Sequence, residues 1–319
     1  MKLIGLIILV STSFILGIVI GFNLLPQDNT ISTKNTLDKY PYLAKRIFLE
    51  NPNDVILNFT SLRDNLRMFA DKAPNLIGIY FEYLPTGTTI GVNDRETFFA
   101  ASLLKTPMVM ETMKRIEAGE ISENEVLIIE EADIDKGYGD LWKKGVGTKV
   151  TVKEAIELSM IDSDNTAYRL LRKRIKDKDL KEVFSYLDIP RDLKGIGGGI
   201  TAKNYSSILR SLYFSAYLSF DKSNELLRIM SMPSEGDLLG NKLPENIKVA
   251  NKYGVYTSIL IEDQEEVYSD CGIIYLPKRN YSLCVMVQGA TSSETAKKQI
   301  IDISETVYEF ILSSNTPKK

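Results

Sequence analysis

Residues 3–25 form an apolar run without a single charge, and beyond it the apolar positions break up into short periodic segments. A helix needs roughly 20 apolar residues to cross a bilayer, so the run reads as a transmembrane helix. Lys2 precedes it and the next lysine is Lys34, which favours a cytoplasmic amino terminus and an exported body. A cleaved signal peptide is the rival reading. Its apolar region is normally shorter and ends in a small-x-small site, and Gly21-Phe22-Asn23-Leu24-Leu25 is a poor one. The expectation is an uncleaved anchor over residues 1–25, and no cysteine follows the run to carry a lipid.

Residues 26–58 read as a linker, polar and rich in Asn, Thr and Ser as far as residue 36. Leu62, Leu66, Phe69 and Ala70 recur at helical spacing and predict a helix over residues 60–72, with Thr60 or Ser61 as its cap. Two strands follow at 76–84 and 88–93, around the turn Pro85-Thr86-Gly87. Helices are expected at 103–117, 152–161, 165–175 and 203–219. Pro244 leads into a strand near residue 250, two more strands at 271–276 and 281–288 flank Pro277-Lys278-Arg279-Asn280, and a last amphipathic helix covers 293–312. Strands thus lie at both ends of the chain and helices between them. The fold class expected is α/β plus α, in two lobes. An antiparallel sheet built from both chain ends (59–101 and 240–312) would carry an inserted helical lobe (102–239), with a tail at 313–319. Clefts between lobes are common places for sites.

Composition sharpens this mainly by exclusion. The chain of 319 residues has no histidine, which removes every Ser-His-Asp and Cys-His mechanism and most catalytic zinc sites. With only Cys271 and Cys284, no thiolate zinc cluster forms, so no metal and no cofactor is expected. Hydrolytic chemistry must run on Ser, Lys, Tyr, Asp or Glu. The net charge of -3, with no dominant basic stripe, gives no sign of a nucleic-acid partner. The two cysteines flank a hairpin and could be neighbours across it; burial as small hydrophobes is the expected outcome rather than a disulfide.

Three short motifs carry candidate chemistry. In Ser102-Leu103-Leu104-Lys105 the lysine lies one helical turn from the serine and on its face, where a buried amine of lowered pKa can act as a base. Capping is the commoner job for such a serine. Ser219-Phe220-Asp221-Lys222 has the same spacing and is given no functional weight. The first copy differs in its apolar lead-in, Phe98-Phe99-Ala100-Ala101, and in Pro107 one turn into the helix, a local irregularity of the kind found at functional sites. In Ser163-Asp164-Asn165 a hydroxyl and a carboxamide two residues apart can point into one cleft, although this too can be helix capping. In Lys252-Tyr253-Gly254, Lys252 and Gly254 share one side of a strand; the lysine can attract a carboxylate and the glycine admits a close backbone.

Together and in this order, Ser-x-x-Lys, Ser-Asp-Asn and Lys-x-Gly resemble the signature of class A β-lactamases and penicillin-binding proteins. The likeness extends through Thr151-Val152-Lys153-Glu154-Ala155-Ile156, Leu243-Pro244 and Ser269-Asp270-Cys271-Gly272-Ile273-Ile274, and covers roughly residues 60–312. It implies a β-lactamase/transpeptidase-like fold with the site between the lobes. Ser102 would be the nucleophile that forms an acyl-enzyme with a β-lactam or a peptidoglycan stem peptide, and Lys105 its base. Ser163 would pass a proton to the leaving nitrogen, helped by Lys252, and Asn165 would hold the substrate. The backbone N–H groups of Ser102 and Val255, the residue after Gly254, would form the oxyanion hole.

Two departures from the pattern matter. Tyr253 stands where the family usually has Thr or Ser. The stretch 187–201 contains no glutamate in the Glu-x-x-x-Asn arrangement that class A enzymes use to activate the deacylating water, and is shortened by about a dozen residues. Glu182 lies in the preceding helix, too early; Asp188 and Asp192 are the remaining stand-ins. Slow deacylation is therefore expected, with a penicillin-binding D,D-peptidase or transpeptidase, or a non-catalytic sensor, as the alternatives to an antibiotic-destroying hydrolase.

Overall fold

Central strands that are apolar on both faces dictate the architecture. In the computed structural model, which describes residues 42, 57–190, 198–234, 236–257 and 265–313, β1 (Leu76–Tyr83) and β2 (Thr88–Val92) form the expected hairpin. Later strands β7 (Lys248–Tyr256), β8 (Val267–Tyr275) and β9 (Tyr281–Gln288) complete a five-stranded sheet in the order β2-β1-β9-β8-β7. Every pairing in it is antiparallel, and β1 lies against β9, so the sheet joins the two ends of the domain. Nearly every residue of β8 and β9 is buried, as strands covered on both faces must be.

One face of the sheet is covered by α1 (Thr60–Lys72), which buries Leu62, Leu66 and Ala70, and by the last helix, Ser293–Ser313. Each fully buried leucine there contributes about 1.5–3 kcal/mol. Between β2 and β7 run the helices α2 (Lys105–Glu117), α3 (Val152–Ile161), α4 (Asn165–Arg172), α5 (Asp177–Tyr186), α6 (Ala202–Tyr213) and α7 (Phe220–Met230); Ser293–Ser313 is α8. Two-residue strands β3 (Phe98–Phe99) and β6 (Gly199–Ile200) pair with one another, as do β4 (Val126–Ile128) and β5 (Lys149–Thr151).

Several expectations need correction. The helix expected over 203–219 is two helices. It stops at Tyr213 because Ser215 adopts φ 52° and Ala216 N–H reaches back to Ser211 O, a reversal that closes a helix. Ser219 then caps α7 by accepting from Lys222 N–H, which explains the second Ser-x-x-Lys copy as a plain helix start. Pro107 breaks no rule: α2 begins at Lys105 after a 3-10 turn, so the proline falls in the first turn, where its missing N–H has no intrahelical partner to lose. Cys271 and Cys284 are directly opposed across β8 and β9, with Cα atoms 3.9 Å apart, and form a disulfide rather than a pair of buried thiols. Replacing both by alanine is expected to lower stability by about 2–4 kcal/mol, since the bridge closes a short loop in the unfolded chain; urea unfolding that shows no loss would exclude a structural bridge.

Residues 1–25 lie outside the described residues, and among the described residues no helix is long and apolar enough to cross a membrane. Tyr42, within the stretch read as a linker, is buried and bonded to Asn224, Ser231 and Tyr275.

Candidate active site

Ser102 owes its place to a tight turn between a strand and a helix. β3 pairs with β6 and ends at Phe99; Ala101 then takes φ 44°, an uncommon backbone state for a residue with a Cβ. The 3-10 turn Ala101–Leu104 carries Ser102 and runs directly into α2, whose first residue is Lys105. Lys105 is buried, and the spacing of three lets its Nζ return to within 3.2 Å of Ser102 Oγ.

The second motif is the turn between α3 and α4. Ser163 sits at φ 53°, and Asp164 caps α4 by accepting from Ala167 N–H at 2.8 Å. The other Asp164 oxygen accepts from Leu141 N–H at 2.8 Å, drawing in the loop that precedes the short turn Leu141–Lys144. Gly139, at φ 77°, presses against Asp164 so closely that a Cβ there would stand 2.1 Å from its Oδ2. Asp164 is thus a capping residue, while the residues on either side of it face Lys105. Lys105 Nζ lies 3.1 Å from Ser163 Oγ and 2.7 Å from Asn165 Oδ1, and it donates to the Ser163 carbonyl.

The third motif arrives on β7, the edge strand of the sheet. A Cβ on Gly254 would meet Ala100 O and Leu103 N at 3.4 Å, so this glycine permits the strand to lie against the Ser102 turn. Lys252, two residues away on the same side of the strand, is buried. Tyr253 alternates to the other side of the strand, over Gly236 and beside its register partner Asp270. Val255 follows on that same edge strand. Asp270 holds β7 from behind by accepting from Asn251 Nδ2, Leu238 N–H and Leu239 N–H; burial, with the Asp237 carboxylate beside it, raises its pKa to about 7.

Electrostatics single out the two lysines. Burial pushes the Lys105 amine well below the ordinary lysine range, and the Lys252 ammonium pushes it further, against the opposing pull of Asp164 and Asp135. Burial brings Lys252 down to about 8, against Asp270 and Asp162. The geometry around Lys105 accommodates the neutral amine as well as the ammonium. Ser163 O and Asn165 Oδ1 can only accept, so they take its two N–H groups, and the lone pair is left for a hydroxyl proton of Ser102 or Ser163.

So the structure brings Ser102, Lys105, Ser163 and Asn165 into one hydrogen-bonded cluster and lays the Lys252-Tyr253-Gly254 strand beside it. Glu182 is not part of it: the residue pairs with Arg115, ten positions and about 15 Å along α2 from Lys105, beside a cleft also lined by Glu111 and Glu120. Asp188 is exposed at the end of α5, and Asp192 lies outside the described residues. Sequence reasoning missed the loop around Asp135, which donates no periodic signal; its Gly137-Tyr138-Gly139 run marks a tight turn and nothing more.

The family model described as the β-lactamase enzyme family matches residues 61–311. The chain belongs to this family. Solved structures agree with the assignment at the level of fold. PBP-A is 22% identical with a TM-score of 0.72, covering 80% of this chain and 97% of its own. The β-lactamase of Sphaerobacter thermophilus DSM 20745 is 20% identical with a TM-score of 0.71, covering 80% and 98%. TLA-3 extended-spectrum β-lactamase is 18% identical with a TM-score of 0.74, covering 80% and 100%. A mutant of PBP-A, also 22% identical with a TM-score of 0.72 and covering 80% and 97%, was solved as an acyl-enzyme complex with penicillin G. β-Lactamase family members and a penicillin-binding relative thus share this architecture.

Proposed function

We propose that this β-lactamase-family chain is a serine hydrolase that forms an acyl-enzyme on Ser102 with β-lactams or D-alanyl peptides, and that it deacylates slowly. The observation that carries the reading is the placement of a depressed, buried amine within hydrogen-bond distance of two hydroxyls, on Ser102 and Ser163. Neutral Lys105 takes the Ser102 proton as Oγ bonds to the carbonyl carbon. The developing oxyanion lies at the backbone N–H groups of Ser102 and Val255. The carbon–nitrogen bond then breaks and the leaving nitrogen takes a proton from Ser163, which takes in turn the proton Lys105 received from Ser102, across 3.1 Å, with the Lys252 charge favouring the delivery. Asn165 stands where it can hold the amide of a peptide-like substrate. Water completes the cycle by attacking the ester.

Slow deacylation rests on the absence of any glutamate between residues 187 and 201, where no group in the sequence matches the base of class A enzymes. That absence also favours the second reading, a penicillin-binding D,D-peptidase of cell-wall metabolism, for which a long-lived adduct with penicillin is the natural outcome. The apolar run at 3–25 supports an uncleaved membrane anchor with the site outside the cytoplasm, and the buried Cys271–Cys284 disulfide fits an oxidising compartment.

The test is to mix the full chain in detergent with a fluorescent penicillin and follow the covalent adduct by intact mass. An adduct that lasts from minutes to hours is expected. Turnover within seconds would overturn slow deacylation in favour of an efficient β-lactamase, and no adduct at any time would remove the β-lactam reading.

A further inference from the structure

Asn165 is held on two sides by groups of opposite kind. Its Oδ1 faces Lys105 Nζ at 2.7 Å, and its Nδ2 donates to Asp135 Oδ1 at 3.0 Å. A carboxylate can only accept, so an amide nitrogen must face Asp135, and the amide oxygen is thereby turned to Lys105. Asp135 is itself fixed. Its Oδ1 also accepts from Gly137 N–H at 2.9 Å and its Oδ2 accepts from Arg169 Nη2 at 2.6 Å. Its backbone N–H donates to Thr166 Oγ1 at 3.0 Å, and Tyr138 O accepts from Asn165 N–H at 3.0 Å. Arg169 and Thr166 both lie on α4, the helix that Asn165 begins, so loop and helix are stitched into one unit.

We propose that Asp135 is a positioning residue for acylation: by accepting from the Asn165 amide it fixes the Asn165 oxygen on Lys105 and leaves the amine lone pair to Ser102. Without the carboxylate the amide is free to turn over. Its Nδ2 would then donate to the Lys105 lone pair and compete with the Ser102 hydroxyl for the base. The proposal rests on Ser102 and Lys105 working as described above, and it adds a residue that none of the three sequence motifs contains.

Asp135 also bears on Lys105 as a charge. The groups facing that amine are Lys252 from β7, Asp164 from the turn, Asp135 from the loop and the Tyr168 ring, 6.0 Å away on α4. Asp135 is one of the two carboxylates that favour the ammonium, and Arg169 stands behind it. Loss of the carboxylate leaves Arg169 uncompensated, so both changes disfavour the Lys105 ammonium and move its titration to lower pH.

Two readouts on the full chain in detergent test this. Acylation by fluorescent penicillin is measured against pH for wild type, Asp135→Ala and the near-isosteric Asp135→Asn, and the Lys105 side chain is titrated by NMR on protein carrying 13Cε-lysine. Asp135→Ala is expected to acylate more slowly, on the order of 10²-fold, as a misplaced catalytic group does. In Asp135→Asn the rising limb of the rate profile and the Lys105 titration should both move to lower pH while thermal unfolding stays cooperative. A merely structural role would lower the unfolding temperature and leave both titrations in place. Should Asp135→Ala not fold, Asp135→Leu, close in size and without an acceptor, takes its place. Wild-type acylation in the variant that lacks the acceptor, together with an unmoved Lys105 titration in Asp135→Asn, would overturn the proposal. A wild-type chain that is never acylated would instead defeat the assigned function, and the NMR titration would still judge the role of Asp135.

Discussion

Ser102→Ala is expected to abolish the covalent adduct with fluorescent penicillin and to lower any hydrolysis by at least about 10³-fold. The expectation follows from the covalent route, because alanine has no oxygen to acylate and no other hydroxyl can take its place. Ser163 is the nearest competitor, its Oγ 3.1 Å from Lys105. Yet its backbone is held at φ 53° by a turn whose next residue caps α4, so it has no latitude to advance on a carbonyl placed for Ser102. The protein itself should remain intact, since Ser102 contributes no cap to the turn or to α2. Adduct formation in Ser102→Ala at the wild-type rate, located by peptide mass, would move the nucleophile elsewhere.

What the sequence revealed and what it concealed divide along physical lines. The Ser-x-x-Lys spacing was readable because a helical turn by itself brings positions 102 and 105 together, and the structure places Lys105 Nζ at 3.2 Å from Ser102 Oγ. Ser219 shows the limit of that logic: identical spacing yields a cap, since α7 carries Lys222 to Glu123 and Glu225 and no second or third motif approaches. Strands β1 and β9 were legible as apolar runs, but their pairing is a contact between residues far apart in sequence and leaves no local trace. Helix α5 is legible only as the helix that holds Glu182, without bounds, because Asp177, Lys178, Asp179, Lys181 and Glu182 leave only Leu180, Val183 and Phe184 to bury. The cysteines were read as separate because low cysteine usage argues against a framework, whereas strand register alone decides that Cys271 faces Cys284. Asp135 was invisible for the same reason: its role comes from where Asn165 and Arg169 lie in space.

Lys105→Ala is expected to slow acylation by about 10³-fold, within the range a general base supplies, with the fold retained. The burial of the side chain cuts both ways. Replacing it removes a buried amine and its contacts with Ser163 and Asn165, but it also removes the cost of keeping a cation out of water. The more telling measurement is the pH dependence of acylation, because only neutral Lys105 can accept the Ser102 proton. The rate should rise with pH through the Lys105 titration, which burial and then the Lys252 ammonium hold well below the usual lysine range. Lys252→Met takes away that neighbouring charge, so the Lys105 ammonium becomes easier to keep and the rising limb moves to higher pH. Removing the carboxylate of Asp135 moves it the other way. Two substitutions on opposite sides of one amine therefore shift one titration in opposite directions, which no general loss of stability imitates. A Lys105→Ala protein acylated at the wild-type rate, or a rising limb left in place by Lys252→Met, would show that the base is some other group.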